Sequence, residues 1–168
     1  HIFVNHWPSK WGGETKTRPK RAMAAKALQR EVDSIITTDS LAKIIITGDF
    51  NDEPSKESLT DHLQAVVPGS NPSPGVLYNL SALWEDNRKG THKYQGQWSV
   101  LDQFIVSGSL LNKQDGLSTK PGNAHIFTLP PMLENDEKHP GNKPNRTYIG
   151  YRYHGGYSDH LPIVLDLE

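Results

Sequence analysis

The sequence predicts an α/β domain, and three features carry that expectation. Ile2-Phe3-Val4-Asn5 is a short apolar run of strand type. A helical stretch follows, and Ile44-Ile45-Ile46-Thr47 is then a continuous β-branched run. Strand, helix and strand within about fifty residues form one crossover unit. The first run reads as a buried strand over residues 2–5. His6 to Lys16 reads as a loop containing Trp7-Pro8 and Gly12-Gly13. The helix is expected from Arg18, capped by Thr17 and with Pro19 in its first turn. Ala25, Leu28, Val32, Ile35 and Ile36 give it one apolar face, opposite Lys20, Lys26, Arg30 and Asp33. Its end is expected near Thr38.

The strand at 44–47 lacks alternation and reads as buried on both faces. Gly48-Asp49-Phe50-Asn51-Asp52 follows, and a short helix is expected over 55–64 with Ser55 as its cap. Residues 68–75 are turn-rich. A helix is expected over Leu77 to Trp84, and strands over 91–94, 100–106, 124–127 and 163–167. Residues 130–156, rich in Pro, Asn, Lys and Gly, read as one long polar loop, which in a compact domain is functional or mobile.

A length of 168 residues fits one domain and needs no covalent staple. Lys and Arg number 18 against 19 Asp and Glu, a net charge of −1, which excludes a grossly basic nucleic-acid coat but not a local basic patch. The absence of Cys excludes disulfides, thiolate nucleophiles and cysteine-bound metals. No apolar run approaches a membrane span, and no signal-peptide pattern opens the chain. The chain starts inside a strand, from which a fragment with residues missing upstream is expected.

Chemistry-bearing residues gather at strand ends. His6 follows the first strand, Asp49 and Asn51 follow the second, Asp102 lies in a later one, and Asp159 and His160 precede the last. Ligands of open α/β sheets sit outside strand ends. Carboxylate and amide oxygens suit Mg²⁺ better than Zn²⁺. Histidines with an orienting Asp suit proton transfer near neutral pH. Together they fit metal-assisted phosphoester hydrolysis. Taken singly, each is equally a turn, a cap or a structural histidine. Ser158 beside Asp159 and His160 suggests a serine hydrolase, but no Gly-x-Ser-x-Gly elbow exists. Nor is there a His-Glu-x-x-His, a Walker-type phosphate loop or a Gly-x-Gly-x-x-Gly.

Four segments in order resemble the endonuclease/exonuclease/phosphatase superfamily, the deoxyribonuclease-I-like metal-dependent phosphoesterases. They are Val4-Asn5-His6-Trp7-Pro8-Ser9, Gly48-Asp49-Phe50-Asn51-Asp52, Leu101-Asp102-Gln103-Phe104-Ile105-Val106 and Ser158-Asp159-His160-Leu161-Pro162. The resemblance implies the C-terminal half of a four-layer α/β/β/α sandwich spanning 1–168. The N-terminal half would then be a separate chain or a cleaved piece. It implies Mg²⁺, with Mn²⁺ as a substitute, held by Asp49, Asn51 and Asp159. It implies that His6 contacts the phosphate or leaving oxygen, Asp49 orients the attacking water and Asn51 hydrogen-bonds the phosphate. Asp102 would orient His160, the general base or charge stabiliser. The family's upstream Asn and metal-binding Glu have no counterpart here, and Gln103 departs from the residue many members carry.

Family substrates range over DNA, RNA, inositol phosphates, lipid headgroups and nucleotide ends. Lys138, His139, Lys143, Arg146, Arg152 and His154, interleaved with Tyr148, Tyr151 and Tyr153, suit phosphate tracking and base stacking. The competing reading is a solvated loop with its tyrosines packed on the sheet. A nuclease-like phosphodiesterase is the leading expectation, with a phosphomonoesterase close behind. A non-catalytic binding module or an inactive fragment of the same fold is the alternative.

Overall fold

A computed structural model of the chain describes residues 1–84, 89–113 and 116–168. In chain order the elements begin with β1 (Ile2–His6), α1 (Glu14–Thr38), β2 (Ile45–Asp49) and β3 (Leu77–Asn79). They continue with β4 (His92–Tyr94), β5 (Gln97–Ser99), β6 (Asp102–Ser107) and β7 (Ala124–Ile126). The last are β8 (Leu133–Asn135), β9 (Asn142–Pro144), β10 (Tyr148–Ile149), β11 (Arg152–Tyr153) and β12 (Ile163–Leu165).

The central sheet has the order β1-β2-β6-β3. β1 and β2 are parallel, joined through α1, and β6 runs antiparallel to both β2 and β3. On one side of the sheet, Ala25, Leu28 and Val32 of α1 pack with Ile44, Ile46, Leu77 and Ile105. On the other side, Tyr78, Phe104 and Val106 meet Ala124, Ile163 and Leu165 of the antiparallel pair β7-β12. The layers are therefore helix, sheet, sheet. Ile46 and Val32 are fully buried, and such side chains each contribute about 1.5–3 kcal/mol of transfer free energy. Among the described residues, no helix is long and apolar enough to cross a membrane.

Ile46 facing α1 and Ile45 facing the second cluster bear out the expectation of a strand covered on both faces. β1 differs from expectation. It is an edge strand, with Ile2 71% and Val4 81% exposed, and only Phe3 reaches the core. The helix begins earlier, at Glu14, so Pro19 lies inside it. Thr17 is no cap: its hydroxyl donates to the Gly13 carbonyl at 3.0 Å. The helix expected over 55–64 contracts to one wide π-type turn, Ser58–His62.

Leu77 to Trp84 is not a helix. Three residues pair with β6, and a 3₁₀ turn follows over Leu80–Trp84. Asn79 makes the break, its Oδ1 accepting from Ser81 N at 3.1 Å. β5 was hidden by its shortness. It pairs with β4 across Gln95 (φ 48) and Gly96 (φ 82), a turn needing two positive φ values. The long loop over 130–156 is also resolved into pairs, β8-β9 and β10-β11. Lys93 anchors it from β4, with Nζ 3.0 Å from Asp136 Oδ2 and donating to the Pro140 and Asn142 carbonyls.

Candidate active site

Register brings the expected residues together. His6 of β1 is the Cα partner of Asp49 of β2, and Asp49 is the partner of Asp102 of β6. One row across three neighbouring strands thus carries an imidazole and two carboxylates. His6 Nε2 lies 3.7 Å from Asp49 Oδ2, with the histidine side chain largely exposed. Gly48 has φ 126, and a Cβ there would collide with the Asn5 carbonyl oxygen. Only glycine lets β1 run this close beside Asp49.

The turn after Asp49 is held rigidly. Asn51 adopts φ 52, a left-handed conformation that Asn tolerates better than most residues. Its backbone N–H donates to Asp49 Oδ1 at 2.8 Å. Its side-chain amide donates to the Trp7 carbonyl and to Asp49 Oδ2, each at 3.0 Å. Both amide hydrogens are therefore engaged, and the Asn51 carbonyl oxygen has no partner among the described residues. That oxygen suits a cation better than a phosphate, so the geometry favours the metal-holding part of the expectation for Asn51. Trp7 packs edge-on against Phe50 at 4.8 Å and donates from Nε1 to Asn5 Oδ1 at 3.2 Å.

His160 reaches the row from the loop before β12. Its Nδ1 lies 2.7 Å from Asp102 Oδ2. Because a carboxylate accepts, Nδ1 carries the proton and Nε2 faces away from Asp102. Thr91 fixes this pair from below. Its Oγ1 accepts from the N–H groups of Leu101 and Asp102 at 3.1 Å each, and its carbonyl accepts from Leu161 N at 2.7 Å. A bridge between His92 and His160 continues the contact. Ser158 is not placed as a nucleophile; its Oγ accepts from His160 N at 3.1 Å. A cavity of about 320 Å³ opens here, lined by Asp102, Met132, Tyr157, Ser158, His160 and Pro162.

Donor atoms of Asp49, Asp102 and His160 lie within 4.8 Å of one another, and so do those of His92, Asp159 and His160. The two groups share His160. Of the expected metal set, Asp49 and Asn51 are bonded to each other, while Asp159 stands exposed with His92 and His160. The oxygen-rich donors fit a hard divalent cation. Burial, together with the charge of Asp102, raises the Asp49 pKa from its ordinary value, a strain that a bound cation relieves.

Burial pulls the His160 pKa down, but the hydrogen bond and charge of Asp102, with Asp49 and Asp159, outweigh it and leave the pKa raised. His92 is pushed down to about 4 by burial, then by His160 and Arg146. The two imidazole rings lie 4.8 Å apart. One ring thus favours the cation and the other stays neutral.

Sequence reasoning missed His92, and it read Arg146 only as one of the basic residues of the polar loop; its Nη2 lies 3.3 Å from His92 Nε2. No local pattern places the two beside the catalytic row, because a short hairpin and a distant turn bring them in. Also missed was a buried network beneath the site. Arg21 and Asp52 are both buried, with Nε 2.7 Å from Oδ2. Ser58 donates to Asp52 Oδ2 at 2.7 Å, and Arg21 donates to Thr17 Oγ1 at 2.9 Å and the Pro8 carbonyl at 3.2 Å. Gln103 belongs to this network. It is fully buried, donating to the Asp52 carbonyl and accepting from Asn79 Nδ2, both at 2.7 Å. It braces the Asp49–Asp52 turn from inside. The tyrosines at 148, 151 and 153 do not pack on the sheet; they are 57%, 107% and 67% exposed.

Thirteen solved chains match this one. One is the mannosyl-6-phosphatase Bt3783 of Bacteroides thetaiotaomicron VPI-5482, with TM-score 0.52 and 17% identity, covering 99% of this chain and 50% of that one. Another is a functionally unknown conserved protein from Enterococcus faecalis V583, with TM-score 0.49 and 13% identity over 99% of this chain and 49% of that one. A third is the human Nocturnin catalytic domain, with TM-score 0.48 and 18% identity over 99% and 46%. The chain spans about half the length of these structures. No curated protein matches it. The first of these likenesses supports the α/β sandwich architecture, and the profile of one family matches residues 1–168 in full. With its four motifs converging on one row of strand ends, the chain belongs to the Endonuclease/Exonuclease/phosphatase family.

Proposed function

We propose that the protein is a Mg²⁺-dependent phosphoesterase, nuclease-like in its chemistry, with Mn²⁺ able to replace Mg²⁺. The observation that carries the reading is the 2.7 Å contact of His160 Nδ1 with Asp102, beside Asp49. Asp49, the Asn51 carbonyl oxygen and Asp159 would hold the cation, which when bound neutralises charge on the phosphate.

The chain's own groups do the rest. Asp102 fixes the His160 ring through Nδ1, leaving Nε2 to exchange a proton with the phosphate oxygens or the attacking water. Asp49 orients that water. Exposed His6, 3.7 Å from Asp49, can donate to the leaving oxygen. The exposed edge of β1 and the half-length match to the solved structures support a partner that completes the sandwich. That partner is the N-terminal half of the fold, as a separate chain or a cleaved piece. Physiological substrates are those of the completed protein.

The test is hydrolysis of a chromogenic phosphodiester by the chain, alone and mixed with the complementary half. EDTA should abolish the rate and Mg²⁺ or Mn²⁺ should restore it. EDTA-resistant turnover refutes the metal mechanism. No turnover in either mixture, with cation binding shown by calorimetry, leaves a non-catalytic binding module.

A further inference from the structure

Arg146 occupies a place that neither the core nor the catalytic row explains. It follows β9, is half-buried, and its Nη2 lies 3.3 Å from both His92 Nε2 and the Lys93 carbonyl oxygen. Guanidinium only donates, so His92 Nε2 accepts and the ring proton sits on Nδ1. Both of these partners are uncharged. Among the described residues no carboxylate pairs with Arg146.

Its neighbours are matched. Lys93 lies 3.0 Å from Asp136, and Lys143 and His154 lie 3.4 and 2.7 Å from Glu134. A half-buried cation without a counter-charge is costly. Its planar fork is preorganised for a phosphate.

Position says which phosphate. Through His92, Arg146 stands one ring away from His160, the two rings being 4.8 Å apart. It also lines a second cleft, of about 230 Å³, in which Asp136 and Glu134 pair with Lys93 and Lys143, while Lys138 and Arg146 add positive charge beside Ile149. Tyr148 and Tyr153 of the β10-β11 hairpin stand exposed beside Ile149, their rings 5.6 Å apart. Aromatic faces next to a groove with a surplus of positive charge suit the bases of a single strand.

We infer that Arg146 receives the phosphate next to the scissile one, so that the substrate is a nucleic-acid strand with at least two phosphates. His92 is the positioning residue that aims the guanidinium. The inference rests on the phosphoesterase reading, and it places specificity one step away from the bond that breaks.

The experiment compares binding of two fluorescein-labelled dithymidylates, one with a 5′-terminal phosphate and one without. Anisotropy is read with EDTA and with Mg²⁺, for the chain alone and with its complementary half. The terminal phosphate should tighten binding about tenfold, the size of a charge-assisted contact. Arg146→Gln should reduce that advantage to about twofold at an unchanged melting temperature, and Arg146→Lys should restore part of it. His92→Phe should lose it and His92→Gln, which keeps an acceptor, should retain it. An unchanged advantage in Arg146→Gln, or none in the parent, overturns the inference whatever the rate of hydrolysis. A lost advantage without phosphodiester turnover sinks only the hydrolase reading.

Discussion

At position 160 a proton is worth more to the folded chain than to the unfolded one, because Asp102 accepts from Nδ1 and two more carboxylates stand close. Its stabilisation is complete below the ordinary histidine pKa of 6.5 and is lost as pH rises through the higher folded value. His92 works the other way. Its folded pKa of about 4 lies below the ordinary 6.5, so stability falls as pH drops between those values. His92→Phe should therefore flatten the loss of melting temperature over that window. A variant as acid-sensitive as the parent contradicts the buried neutral ring. His160→Ala should lower turnover by about 10²–10⁴-fold. Asp102→Asn acts only through orientation and should cost about 10–100-fold. The order of these two rates, measured on one phosphodiester, checks the assignment.

Single elements show how much was legible. α1 was readable because Ala25, Leu28 and Val32 recur at helical spacing. Arg21 lies on the same stripe, one turn before Ala25, which is the signal that could have marked it as buried. A charged residue on an apolar stripe needs a partner, and Asp52 supplies it across two loops, a distance that no local pattern encodes. The strand ends at 6, 49, 102 and 160 were legible because short motifs mark them. β3 was not, because three residues paired only through tertiary contact carry no periodicity of their own. The hairpins of 130–156 were hidden for the same reason. Arg21→Ala takes the buried cation from Asp52 and leaves it only Lys10, 3.6 Å from Oδ1, so it should cost about 3 kcal/mol, the low end for a broken buried pair. Urea unfolding measures this, and a loss under about 1 kcal/mol would count against it. Arg21→Met with Asp52→Leu should recover part of the loss.

On the scale of the whole molecule, the edge of the central sheet is open. β1 presents Ile2 and Val4 to solvent and has no strand on its outer side among the described residues. Exposed apolar edges associate. The chain alone should self-associate in size-exclusion chromatography, and Val4→Lys should suppress this. With the N-terminal half proposed as its partner it should elute as a one-to-one complex. A monodisperse monomer in the parent argues against an incomplete sandwich.

His6, Asp49 and Asp102 share one register row, and this has a consequence for how faults in the protein would show. Side chains alternate along a strand, so sliding β1 by a single residue would turn His6 to the opposite face while leaving the backbone ladder intact. The same slide would turn Phe3 out of the core and Ile2 and Val4 into it, so such a chain would be chemically blank and would melt at a different temperature. A batch with low specific activity and a second melting transition would then be a mixture of two alignments, separable by the chemical shifts of one imidazole.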